Sequence, residues 1–435
     1  MSCAALCQER REFTLKNNEL TNSRFGKWGW SMIIYTFLLY YFSTGLVTDG
    51  MNLYPDAFQA LYGMDRNTLL GFATPAGILG VIGGIVFGRV CVKTGIRKLS
   101  GWTLIITGVL YAIFGFCSTP VMYLIVLAAM SFVSTAYGLI CTAGLMGNWF
   151  PRKKGIALGW ATMGAPFCSA TFVAILSALY QGMGLPMGSL VVGIAVIILG
   201  VATFFWVHDF PEEVGAYPDN IKDSGVNAVS QQALQNYKSP FTIGKLLRDK
   251  DMWLIALGFG MLWMVTAGIM SQFVPRMTSV GFSDSTAMIL LTVSALIGLV
   301  GSYFWGWLDQ KAGTKLASCV YALCYIVALV LMIFAEVKIF TYIAIVFVGF
   351  GIGGLLNLMP SLVISVYGRY DFTVANSLVC SIASLIQKAA FVVMAVLLQI
   401  SNNTFTLPYA VFIAIDVVGL VLLLFVTNKC KGKQD

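Results

Sequence analysis

Gly88-Arg-Val-Cys-Val-Lys93-Thr-Gly95-Ile-Arg97-Lys98 and Gly306-Trp-Leu-Asp309-Gln-Lys311-Ala-Gly313-Thr-Lys315 are one phrase written twice, 218 residues apart. Gly88, Lys93, Gly95 and Arg97 fall on Gly306, Lys311, Gly313 and Lys315. The same shift lays Val47, Thr48 and Gly50 on Val265, Thr266 and Gly268, Gly63 on Gly281, and Gly80 and Gly83 on Gly298 and Gly301. It also sets Trp149 on Tyr367 and Ala157 on Ala375. One offset that holds through loops and apolar segments alike marks a duplicated unit.

The surroundings of these phrases say what is duplicated. The chain has 435 residues, 58% hydrophobic and only 11% charged, with a mean hydropathy of +0.83, whereas soluble domains carry roughly 25% charged residues. Apolar stretches long enough to cross about 30 Å of hydrocarbon as helices recur throughout. The spacing predicts twelve, over 28–51, 68–89, 99–117, 121–147, 155–180, 187–207, 252–274, 285–308, 316–335, 339–366, 373–400 and 406–427. The expected organisation is a tail over 1–27, a six-helix unit over 28–207, a hydrophilic linker over 208–251, a second six-helix unit over 252–427 and a short tail over 428–435. The fold class is therefore an all-α membrane protein of two pseudo-symmetric six-helix bundles.

Basic residues orient it, because cytosolic loops are enriched in Lys and Arg. Of 27, 23 fall on the side of the N-terminus, three (Arg66, Arg276 and Lys338) on the other, and Lys388 lies inside a span. Both termini are expected in the cytosol of a cell in whose plasma or inner membrane the chain sits. Residues 1–27 carry no apolar core with a cleavage site of the kind a secretory signal needs. The net charge of +8 is scattered over short loops and is explained by topology, so no nucleic-acid partner is expected. Most of the ten cysteines fall in apolar segments and read as packing residues. His208, at the membrane edge of the linker, reads as an interfacial side chain. No nucleotide loop, metal-ligand spacing or nucleophilic triad occurs, so no cofactor or metal is expected, and an enzyme is the weakest reading.

The duplicated phrase resembles the signature of the major facilitator superfamily, Gly-x-x-x-Asp-Arg-x-Gly-Arg-Arg/Lys, in the loop after the second helix. Val92 stands at its acidic position, and the second copy has Asp309 one place early. The resemblance implies that Gly88, Lys93, Gly95, Arg97, Asp309, Lys311 and Gly313 belong to loops that stabilise one access state. Asn148-Trp-Phe-Pro-Arg152-Lys153-Lys154-Gly155-Ile-Ala-Leu-Gly159 is similar to the oxalate/formate antiporter group and the monocarboxylate transporters. Pro211, Gly215 and Pro218 after the sixth helix, and Gly63-Met-Asp-Arg-Asn-Thr before the second, are similar to it too.

Lys388 is the sharpest chemical signal. It lies about fifteen and twelve residues from the two ends of its span, roughly 22 and 18 Å deep at 1.5 Å per residue, too far to snorkel. An ammonium there costs at least about 2.5–3.5 kcal/mol unless it meets water or a partner. Ser377, Ser381, Ser384 and Lys388 form one polar stripe at helical spacing. The resemblance to the antiporter group implies that such a lysine binds a substrate carboxylate; the alternative is an ion pair with Asp416 that ties the last two helices. The group's second cation, an arginine of the eighth helix, is replaced by Ser302 beside Gly301, which favours a monocarboxylate or a bulky monoanion over a dicarboxylate. Ser384, Ser381, Tyr35, Asn357 and Gln272 complete the expected binding set. Asp416 and Asp49 are candidates for coupling to a proton. The expected function is secondary active transport of a small organic anion by alternating access, driven by proton symport or by a counter-transported anion, with the lipid bilayer as surroundings. The alternatives are a membrane sensor on the same fold and a facilitator for an amphipathic or uncharged solute.

Overall fold

The computed structural model describes residues 21–222 and 240–432. Most of the expected tail 1–27, the stretch 223–239 of the expected linker, and the last three residues lie outside the described residues. Ten helical runs are long and apolar enough to cross a membrane. Two of them, Lys154–Trp206 and Gly354–Ile400, turn back at Gly184 and Gly368, whose φ of 80° and 75° are open to glycine but strained for other residues. The first therefore carries two crossings, and the second carries one together with the latter part of another begun by Lys338–Ile352, which makes twelve. We number them α1 (Gly26–Val47), α2 (Ala73–Thr94), α3 (Ile96–Phe114), α4 (Pro120–Thr135, continued to Trp149), α5 (154–183), α6 (185–206), α7 (Lys250–Ser271), α8 (Asp284–Ala312), α9 (Thr314–Ile333), α10 (Lys338–Ile352, continued to 367), α11 (369–400) and α12 (Thr406–Leu424). No strand occurs among the described residues.

The expected loops after the second and eighth spans prove mostly helical. α2 runs to Thr94 and α8 to Ala312, so Lys93 and Lys311 ride on last turns, where the negative end of the helix dipole favours a cation. Each turn itself is one glycine, Gly95 (φ 82°) or Gly313 (φ 87°).

The repeat extends to atoms. Gly63 and Gly281 are both left-handed, with φ of 67° and 94°. Asp65 accepts from the Thr68 N–H at 2.8 Å where Ser283 accepts from the Thr286 N–H at 3.3 Å, so equivalent helices start on equivalent N-caps. A Cβ on Gly80 would lie 3.2 Å from the Ser131 carbonyl and one on Gly298 3.2 Å from the Gly349 carbonyl. Cβ atoms on Gly83 and Gly301 would overlap the carbonyls of Phe132 and Phe350. Glycine thus allows α2 to cross α4, and α8 to cross α10, at backbone contact, as small residues do in membrane bundles. The offset widens to 220 in the last helix of each half: buried Ser189, Val192, Val196, Leu199 and Thr203 correspond to buried Tyr409, Phe412, Asp416, Gly419 and Leu423. The tight Gly184 turn has become a longer one through Asn402 and Asn403, with φ of 52° and 60°.

Two hydrophobic cores result, one built on residues 25–207 and the other largely on residues 246–426. The halves meet along α2 against α11 and α5 against α8, while α1 and α7 share no packed interface.

Candidate functional site

The seam between α2 and α11 places Lys388. A stripe of glycines on α2 faces the polar stripe of α11 in antiparallel register. A Cβ on Gly77 would lie 3.1 Å from Lys388 Cε, one on Gly84 2.5 Å from Ser381 Oγ, and one on Gly88 would overlap Ser377. Lys388 itself is exposed and makes no hydrogen bond or ion pair with a described residue. Its stem lies across Gly77 of the other half, at mid-membrane depth between the two bundles.

Other expected binding residues lie elsewhere. Ser381 is 2% exposed and donates to the Ser377 carbonyl at 2.8 Å, so in this conformation it is sealed into the seam. The helical stripe was legible, but which part of it α2 would cover was not. Ser384, one turn before Lys388, is half-buried. Tyr35 is wholly buried in the first half, its hydroxyl bonded to Ser100 at 3.0 Å and Thr203 at 3.1 Å, so in this conformation it ties α1 to α3 and α6. Asn357 is wholly buried with neither amide atom hydrogen-bonded, against Gly306 where α10 crosses α8. Gln272 is half-buried at the break between α7 and the short helix Phe273–Ser279. Ser302 is buried against Gly353.

The two coupling candidates differ. Asp49 is half-buried and accepts from Ser169 of α5 at 2.8 Å. Asp416 is wholly buried, and neither carboxylate oxygen has a hydrogen bond. No ion pair joins it to Lys388, so the alternative of a lysine–aspartate tie between α11 and α12 is not what this structure contains.

The end of the bundle that bears the basic loops is closed, and the devices that close it cross between the halves. At the start of α5, Lys154 Nζ donates to the Ser361 carbonyl of α10 at 2.8 Å and to the Ser365 hydroxyl. Ser361 in turn donates to Asp309 of α8 at 2.5 Å, and the buried Asp309 carboxylate feels the Lys154 charge. Beside them a Cβ on Gly155 would lie 2.6 Å from the Gly306 carbonyl. Asp309, one place early in the signature, therefore does anchor a charged contact, once and not twice. The equivalent position in the first half is Cys91, and Val92 is exposed. There the helix after the loop is capped from outside, with Asp209 accepting from the N–H groups of Ile96 at 3.0 Å and Arg97 at 2.6 Å.

Sequence reasoning missed the strap that follows α6. Asp209 caps α3; Trp149 Nε1 donates to the His208 carbonyl at 2.8 Å; Asp219 accepts from the Lys153 N–H at 2.7 Å and the Arg152 N–H at 3.1 Å. Burial pushes Asp219 up to about 6, against the pull of those two N–H groups, and burial likewise raises Asp209 and Glu213. Glu212 pairs with Arg369 at the turn between α10 and α11, at 3.2 Å. Acidic residues after a helix full of apolar side chains were the available signal, but their partners lie in other loops. Among the described residues no group of His, Cys, Asp and Glu could hold a metal ion.

A doubled six-helix unit with glycine crossings at matched positions, closed at one end by contacts between its halves, is an architecture that comparison can test. The sequence matches the Major Facilitator Superfamily over residues 37–387. The chain belongs to that superfamily. That superfamily is one of membrane transport proteins rather than of enzymes. It is 27% identical over 222 residues to the inner membrane transport protein RhmT of Escherichia coli, covering 47% of this chain and 50% of that one. It is 24% identical over 281 residues to the oxalate:formate antiporter of Oxalobacter formigenes, covering 63% of this chain and 60% of that one. The chain thus spans between half and three-fifths of these relatives. In fold it is similar to the proton:xylose symporter XylE, with a TM-score of 0.72 and 13% identity over 93% of this chain and 98% of that one.

Proposed function

We propose that this superfamily member is a secondary active transporter of a small organic anion, a carboxylate, held on Lys388. The observation that carries the reading is an unpaired ammonium at mid-membrane depth, seated in a glycine slot between the two halves. A cation there that pairs with no described residue is a functional group by default, since its insertion is costly. Similarity to an oxalate:formate antiporter supports an anionic cargo. Midplane binding between two repeats suits alternating access by rocking one half against the other. The basic end is the cytosolic one, in a cell membrane, so the closed basic end makes this an outward-facing arrangement. The two rocking units are residues 28–207 and 252–427, and either exchange of two anions or proton symport powers the cycle.

With one cation at the seam and Ser302 where a second would stand, monocarboxylates bind better than oxalate. Thermal-shift titration of the purified protein with formate, lactate and oxalate tests both statements. Stabilisation by a monocarboxylate that vanishes in Lys388→Met supports the reading; tight oxalate binding, or stabilisation unchanged in Lys388→Met, overturns it.

A further inference from the structure

The segment after α12 repeats in the second half what the strap after α6 does in the first. The strap is bound by the Trp149 indole and caps α3 at Ile96 and Arg97. Under the 218-residue shift Trp149 and Arg97 correspond to Tyr367 and Lys315, and both of these meet residues 426–432. Lys315 Nζ donates to the Val426 carbonyl at 2.8 Å, and a Cβ on Gly432 would overlap the Tyr367 carbonyl. The strap brings carboxylates to its half, whereas this segment brings a lysine. Lys431 Nζ donates to Asp249 Oδ1 at 2.6 Å and forms an ion pair with Asp251, the N-cap and a first-turn residue of α7. Asp251 also accepts from the Thr427 N–H at 2.8 Å, and Asp249 from the Tyr367 hydroxyl at 3.2 Å. The two carboxylate side chains are only 13% and 10% exposed, so each depends on its partners.

What this segment holds is a turn. The run from α10 into α11 breaks at Gly368, and at such a break the last carbonyls of a helix look outside it for donors. The Lys431 N–H supplies one, donating to the Val366 carbonyl at 2.7 Å. Gly432 lies against the Tyr367 carbonyl, and a Cβ on it would lie 2.9 Å from Asp371 Oδ2. The residue just beyond Gly368 is Arg369, whose guanidinium meets Glu212 of the strap at 3.2 Å. One glycine turn thus links contacts made within the second half to the ion pair that crosses to the strap.

We infer that residues 427–432 are a regulatory clamp. Seated on Asp249 and Asp251, they hold the Gly368 turn in the shape that presents Arg369 to Glu212, and so favour closure of the basic end. Unseating them frees the turn and shifts the protein toward opening at that end, with no change at Lys388 itself. This rests on reading the closed basic end as one state of a transport cycle, yet the clamp is tested without any cargo.

Amide hydrogen exchange of the full-length protein in nanodiscs, with no anion added, reads the clamp and the closure separately. Closure is read at Gly155 and Ile156 of the first half, buried against α8 in the first turn of α5, where N–H groups have no intrahelical acceptor. In Lys431→Met, exchange is expected to rise about tenfold over residues 427–432, over the Gly368 turn, and at Gly155 and Ile156, as a locally open form gains population. Lys431→Arg is expected to exchange like the parent. Gly432→Val, which leaves every charge in place, is expected to match Lys431→Met and carries the test if that variant does not fold. Adding Lys431→Met to Glu212→Gln is expected to raise exchange at Gly155 and Ile156 little beyond Glu212→Gln alone, since both act through Arg369. Faster exchange confined to residues 427–432 and the turn would overturn the inference, as would residues 427–432 that stay protected in both Lys431→Met and Gly432→Val. Failure of every carboxylate to stabilise the protein would count against Lys388 as the anion site and leave these rates intact.

Discussion

Arg369 of α11 and Glu212 of the strap after α6 form an ion pair, 3.2 Å from Nη1 to Oε1, with side chains 4% and 8% exposed. The pair joins the second half to a segment that is itself pinned to the first half at Ile96, Arg97, Trp149 and Lys153. It therefore exists only while the basic end is closed. Glu212→Gln takes the carboxylate from a buried guanidinium, and breaking one side of such a pair costs about 3–5 kcal/mol. Because that cost falls on the closed form alone, the equilibrium shifts toward opening at the basic end. The rate at which a thiol reagent labels Thr373→Cys, beside Gly144 in the seam, is expected to rise at least tenfold. An unchanged rate would show that the pair is not a latch.

Gly88 tests the seam from the other side. A Cβ there would overlap Ser377, and in a packed interior added methyl groups cost typically about 1–3 kcal/mol. Gly88→Val is expected to insert and fold, to prevent closure at the basic end and to abolish transport. Gly88→Val/Ser377→Gly, which removes the opposing side chain, is expected to recover part of the activity.

For Lys388→Met the energetic sign separates two roles. The lysine has no ion-pair partner among the described residues, so removing the charge strands none of them and relieves an insertion cost of about 2.5–3.5 kcal/mol. The melting temperature in detergent is expected to hold or rise while anion binding is lost. If Lys388→Met destabilised the protein and Asp416→Asn rescued it, the lysine would be a structural partner after all.

Asp219 carries a pH dependence outside the membrane. Its folded-state pKa stands at about 6, raised by burial, against an ordinary value near 4. A raised carboxyl binds more protons folded than unfolded, so its contribution to stability is fully present below about 4 and is lost as the pH rises to about 6. In Asp219→Asn, melting temperatures measured from pH 4 to 7 are expected to fall less steeply across that window than in the parent. An identical slope would show that the strap does not respond to pH through this residue.

Sequence alone determined the number of crossings, the duplication and the depth of Lys388, because each rests on local or periodic properties. A span is legible from about 20 apolar residues, and a repeat from one offset. A mid-span ammonium is legible from its distance to both ends of a helix. Even Gly83 and Gly301, which admit carbonyls at matched crossings, were visible as an aligned pair before their partners were known. Tertiary structure decided what each polar side chain meets. Tyr35 sits on a helix whose polar residues gave no sign of their partners, and its hydroxyl meets Ser100 and Thr203. Ser381 and Lys388 share one stripe, yet α2 covers the first and leaves the second exposed. Lys154 with Ser361 and Arg369 with Glu212 are each more than 150 residues apart. A contact between two halves of the chain leaves no period in a sequence, since nothing local about either residue changes when the other approaches.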